Sequence, residues 1–145
     1  MKPRQGDDGA EGTLIHALIA GKLFHELGAS CFDFTFDPPP AMPRRYAHEW
    51  LVNFCFQEVK TIAPPEWPLA AEVALAYEFE RFNLSGHIDC LAPSPDATEA
   101  IGWDWKAVYV AVDSADMNEQ VLGYIVLLKR AYPCLKKVTF YIVQP

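Results

Sequence analysis

The sequence predicts one α/β domain, a central mixed four-stranded sheet flanked by helices. Two observations carry this. Apolar residues recur at a 3.6-residue period up to about residue 62, and the period changes to two from about Leu69. Helical spacing then returns before Pro133, and a final alternating run follows from Lys137 to Val143. The order is helix, helix, strand, strand, strand, helix, strand. The first three strands would form a meander, and the last helix a crossover to the fourth strand. A length of 145 residues suits one domain, 1–145, with one core.

The elements follow from local chemistry. Leu14, Ile15, Leu18, Ile19 and Leu23 predict a helix over Gly12–Leu27, with His16 near its start and Gly28 as its stop. Cys31–Pro43 breaks on Pro38-Pro39-Pro40 and reads as loop. A second helix fits Arg44–Ile62, with Trp50, Leu51, Phe54 and Val59 inward, ended by Pro64-Pro65. Strands are expected at about Glu72–Glu80 and Leu84–Leu91, joined by a turn at Phe82-Asn83. The turn formers of 92–98 lead to a third strand at about Ala100–Val110. Asp113 or Ser114 can cap a helix that runs to about Ala131.

Half of the chain is apolar (51%) and 21% is charged, a balance that buries a core and excludes disorder. No apolar run approaches the ~20 residues of a bilayer span, and the polar start excludes a secretory signal, so a cytoplasmic protein with no membrane partner is expected. The net charge of −7 disfavours non-specific binding to nucleic acid, though a metal-dependent nuclease needs carboxylates at its centre. Cys31, Cys55, Cys90 and Cys134 lack C-x-x-C spacing and read as reduced core thiols.

Alternation along Gly102-Trp103-Asp104-Trp105-Lys106 sets Asp104 and Lys106 on one face and the two tryptophans on the other. If this strand pairs with the one before it, Asp89 comes beside Asp104. Two adjacent carboxylates repel unless one is protonated or a cation lies between them, and Mg²⁺ or Mn²⁺ suits such oxygen donors. A salt-bridged sheet is the other reading of these three residues. Gln120 and Tyr124 stand at i and i+4 on one helix face, where an amide and a phenol can contact a phosphate or simply edge the core. His16 is either a further nitrogen ligand or a packed histidine.

Taken together, Gly12 to His16, Gly86-His87-Ile88-Asp89, Asp104-Trp105-Lys106 and Gln120 to Tyr124 resemble the signature of the PD-(D/E)XK nuclease superfamily, a restriction-endonuclease-like core. The likeness is closest to its RecB-type branch, which includes CRISPR-associated and phage exonucleases and the nuclease domains of bacterial recombination helicases. The resemblance implies a metal-dependent deoxyribonuclease, with an exonuclease as the expected mode, in recombination, repair or phage DNA processing. It implies Asp89 and Asp104 as metal ligands, His16 and the carbonyl of Trp105 as further ligands, and Lys106 as the residue that positions or activates water. Gln120 and Tyr124 would hold substrate and site geometry. Glu72 is an outer ligand or a solvated strand-edge glutamate.

Relatives in this branch often bind an iron–sulfur cluster through grouped cysteines; the isolated cysteines here carry no such expectation. DNA is the implied partner, in a bacterial or phage-infected cell. The chain reads as a minimal core, a fragment, or a subunit completed by a homo-oligomer or a larger recombination complex. Lys129, Arg130, Lys136 and Lys137 either guide the DNA backbone or solubilise the surface. Two other readings are a catalytically silent DNA-binding or assembly module and a hydrolase of another phosphate ester.

Overall fold

The computed structural model describes residues 5–31, 40–106 and 119–144, with side chains from Thr13 onward in the first helix. The elements are α1 (Gln5–Leu27), β1 (Ser30–Cys31), α2 (Glu49–Ile62), β2 (Ala70–Glu78), β3 (Asn83–Pro93), β4 (Glu99–Trp105), α3 (Glu119–Ala131) and β5 (Lys137–Val143). They build an α/β fold around a mixed sheet in the order β1-β2-β3-β4-β5. The expected meander is present as antiparallel β2, β3 and β4, and β5 lies parallel to β4.

The sheet has five strands rather than four. Ser30–Cys31, where the expected loop begins, pairs parallel with Ala70 and Ala71, and two residues are too short to show a period. Helix α1 starts seven residues earlier than expected, at Gln5, so His16 is mid-helix rather than near the start. Gly28 closes it at φ 69°, the left-handed conformation that glycine adopts without steric cost. Helix α2 begins at Glu49, because Arg44–Arg45 and Ala47–His48 form turns and Arg45 itself has φ 55°. Residues 107–110 of the third expected strand and the Asp113/Ser114 cap lie outside the described residues.

Two cores form, one on each side of the sheet. The first packs Ile15, Leu18, Ile19 and Leu23 of α1 against Leu51, Val52, Cys55, Phe56 and Val59 of α2, and both against Trp103 and Trp105. The inward stripe of α2 is therefore Leu51/Val52/Cys55/Phe56/Val59, and Trp50 and Phe54, expected inside, are exposed. They sit one step round the helix from the stripe. The second core packs Tyr124 and Leu128 of α3 against Ile88, Leu91 and Ala100.

Burial pushes the Cys55 thiol up to about 12, with Asp89 and Glu58 adding to the shift, and raises Cys90 as well; both stay protonated and unreactive. Cys31 is half-buried and packs against the first core, whereas Cys134, expected in the core, is exposed in a surface turn after Pro133. No helix among the described residues is long and apolar enough to cross a membrane.

Close approach fixes how β4 and β5 pack. A Cβ on Gly102 would lie 2.5 Å from Cζ of Phe140, so the ring occupies the space that a side chain would need. Gly102→Ala is expected to lower stability by about 1–3 kcal/mol in denaturant unfolding. Adding Phe140→Leu should recover part of that loss, and strictly additive losses would show that the glycine does not serve the ring.

Candidate functional site

The site forms where strand pairing fails. The β3–β4 ladder runs from Pro93↔Ala100 to Cys90↔Trp103 and pairs no residue beyond. The N–H of Trp105, two residues past that end, donates instead to Oδ2 of Asp89 at 2.7 Å. A carboxylate thus replaces the missing strand partner.

On the other side of β3 the ladder to β2 skips a step. Ala71↔Cys90 and Val73↔Ile88 pair, but Glu72 has φ 56° and Asp89 has no partner in the register. Two pairs at this spacing share a face in a regular ladder. Here Ala71 and Cys90 lie in the first core, while Val73 and Ile88 lie against or within the second. The switch in side-chain direction occurs at Glu72 and Asp89, and strain of about 1–3 kcal/mol at such a φ is held by the pairing on both sides.

Around Asp89 the other groups converge. His16 Nε2 lies 3.5 Å from its Oδ2, and His87 Nδ1 lies 3.9 Å from its Oδ1. The Lys106 ammonium is 2.8 Å from Asp104 and donates to Oε1 of Gln120 at 3.2 Å. Tyr124 packs on β3 where Gly86 leaves room; a Cβ there would lie 2.8 Å from its ring. A cleft of about 420 Å³ is lined by His16, Asp89, Asp104, Trp105, Lys106, Gln120 and Tyr124, together with Leu84–His87, Glu119 and Gly123.

Seven of the eight expected site residues therefore meet in one cleft. Trp105 brings its backbone N–H, and its indole is buried in the first core. Glu72 does not line the cleft and is not a solvated edge residue: it is 4% exposed and bonds His87 Nε2 at 2.8 Å. Sequence reasoning missed His87. Its signal was its i, i+2 spacing from Asp89 on the strand next to the one that carries the acidic Glu72. Of the distal basic residues, Arg130 lies over the rings of Tyr77 (4.6 Å) and Phe79 (5.3 Å), and Lys137 is 4.0 Å from Glu99; none of the four lines the cleft.

The two central carboxyls are driven apart in proton affinity. Burial raises both, but His16, the hydrogen bond shared with Asp104 and the Trp105 N–H outweigh it at Asp89, which is held below the usual carboxylate range. Asp104 is pushed up to about 6 by burial and by Asp89, against the pull of Lys106. It keeps its proton to higher pH than Asp89 does. Burial also raises Glu72, with His87 opposing; the bond to Glu72 in turn raises His87. Burial, then the charges of Asp104 and Asp89, raise Tyr124, which remains a phenol.

No family model, curated protein or solved structure matches this chain. The donor chemistry fits a divalent cation. Glu72, His87 and Asp89 offer ligand atoms within 4.8 Å of one another, and buried Oε1 of Glu72 has no hydrogen-bond partner.

Because Asp104 binds its proton more tightly when folded than unfolded, the stability that proton contributes is full at acid pH and lost as pH rises through about 6. In chelator, Asp104→Asn is expected to melt a few degrees above the parent at pH 7.5, with the gap closing toward pH 5. A gap independent of pH would remove Asp104 as the titrating group.

Proposed function

We propose that the chain is a metal-dependent DNA phosphodiesterase on a PD-(D/E)XK core of the RecB type. The observation that carries this reading is the convergence of Asp89, Asp104, Lys106 and His16 on one cleft, with Gln120 and Tyr124 on its facing helix. Asp89, Asp104 and His16 are the residues that would hold the cation, with the Trp105 carbonyl implied by the family resemblance. When bound, a divalent ion supplies charge neutralisation at phosphorus and lowers the pKa of water.

The protein's own groups do the rest. Asp89 is kept ionised by the Trp105 N–H and His16, so it is ready to accept a cation or a proton from water. Lys106 is held between Asp104 and Gln120, so its ammonium is aimed rather than free to sweep; it can orient the attacking water or meet charge developing on phosphate oxygens. Gln120 fixes that ammonium. Tyr124, a phenol at any working pH, can donate to a non-bridging oxygen. Among the described residues, Lys106 is the lysine that lines the cleft of this acidic chain, and a bound cation would supply further attraction for phosphate.

The test is degradation of end-labelled linear single- and double-stranded DNA beside a closed circle, with Mg²⁺, Mn²⁺ or chelator. Metal-dependent loss of linear DNA is expected, reduced roughly 10²–10⁴-fold by Lys106→Ala. Intact DNA under every condition, from folded protein, would overturn the nuclease reading.

A further inference from the structure

We infer that the tip of the β2–β3 hairpin is a stacking platform for an unpaired nucleobase, built from Tyr77, Phe79 and Phe82 and braced by Arg130. This rests on the DNA reading of the cleft and names single-stranded DNA as what the molecule grips beside it.

Alternation along β2 extends the face that α3 covers. Val73 and Leu75 pack against the second core, Tyr77 and Phe79 follow at steps of two, and Glu78 falls on the opposite face. The chain reverses at Glu80-Arg81, where the N–H of Phe79 donates to the carbonyl of Phe82 at 2.8 Å. That reversal lays Phe82 on Phe79, with ring centroids 4.8 Å apart and planes 18° from parallel, while Tyr77 meets Phe79 at 4.7 Å and 61°. From α3 the Arg130 guanidinium covers Tyr77 and Phe79. Phe82 therefore ends the stack. It is 59% exposed, more than any other large hydrophobic side chain among the described residues. Single exposed apolar residues are ordinary, but adjoining rings with an open outer face form a patch fit for a flat ligand.

The patch is continuous with the cleft. Leu84 and Gly86 line the cleft, and Leu84 pairs with Tyr77 in the sheet register. On α3, Gly123 lines the cleft, Leu127 lies against Gly86 and Arg130 reaches the rings, an i, i+4, i+7 stripe along one side of the helix. From Asp89 to Phe82 the chain spans roughly 20 Å at ~3.3 Å per residue, so a strand leaving the cleft along this wall arrives at the open ring within a few nucleotides.

Charge decides the kind of grip. Proteins that hold DNA by its phosphates gain affinity from released counterions, and a chain of net charge −7 has little of that source. Stacking on an aromatic face does not need net positive charge and accepts every base. In a duplex the faces of a base are covered by its neighbours, so the platform selects single strands. Arg130, held against the rings, keeps N–H donors for the phosphate of the stacked nucleotide.

The experiment measures binding of a labelled oligothymidylate of about 20 nucleotides, longer than the site size of one small domain, by fluorescence anisotropy. A blunt duplex of the same length is measured beside it, all in chelator so that nothing is cut. The single strand is expected to bind more tightly than the duplex, with a log–log salt slope no steeper than about −2, because few phosphates are neutralised. Phe82→Ala and Phe82→Leu should weaken single-strand binding roughly 5- to 100-fold, the loss of one stacked base, and leave duplex binding unchanged. Leucine keeps an apolar contact with Phe79 but has no ring face; Phe82→Trp has one and should bind like the parent. A 2-aminopurine strand should be quenched by the parent and not by Phe82→Leu. A parent that binds no single strand, a Phe82→Leu variant with the parent's affinity, or a Phe82→Ala variant whose change is in oligomeric mass by light scattering would overturn the inference. Phe82-dependent binding by a protein that cuts no DNA with any metal would instead sink the nuclease reading and leave this one standing. Metal-dependent cutting with no role for the Phe82 ring in binding would do the reverse.

Discussion

The site depends on one hydrogen bond, from the Trp105 N–H to the Asp89 carboxylate at 2.7 Å. A buried backbone donor at the end of a ladder must find a partner, and here it finds a charge. That choice lets β3 and β4 part without an unsatisfied N–H. It also holds Asp89 ionised despite its burial. The opening of the cleft and the protonation state of its central acid thus have the same cause.

The pair of carboxylates shows how a fold separates two identical groups. Asp89 receives donors from three directions, whereas Asp104 receives an ammonium and the unfavourable neighbourhood of Asp89. The asymmetry leaves one acid ionised and the other titrating near neutrality. Under the proposed function, a cation between the two carboxyls would take the place of the titrating proton.

Much of this was legible in the sequence because it follows from period and spacing. Alternation along 102–106 placed Asp104 and Lys106 together, opposite two tryptophans that the structure buries in the first core. The i, i+4 spacing placed Gln120 and Tyr124 on the same cleft wall. What was not legible depends on exceptions to period. The inward stripe of α2 is offset by one residue from the Trp50/Phe54 reading, because large aromatics weigh heavily in a pattern whether or not they are buried. Strand β1 is too short to leave a pattern. The positive φ of Glu72, which turns a strand-edge residue into a buried one beside His87, has no signature in residue type, since glutamate rarely adopts it. The proposed activity rests on motif spacing and on the geometry of the cleft.

Helix α3 touches the β2–β3 hairpin at two separated points. The Tyr124 ring sits in the space left by Gly86, and the Arg130 guanidinium covers Tyr77 and Phe79 near the hairpin tip. A contact at one point lets a helix pivot; contacts at two, nearly two turns apart, remove that freedom. The helix carrying Gln120 and the strand carrying Asp89 therefore act as one stiff unit, and the width of the opening between them is a built-in dimension of the molecule, set by the thickness of an aromatic ring.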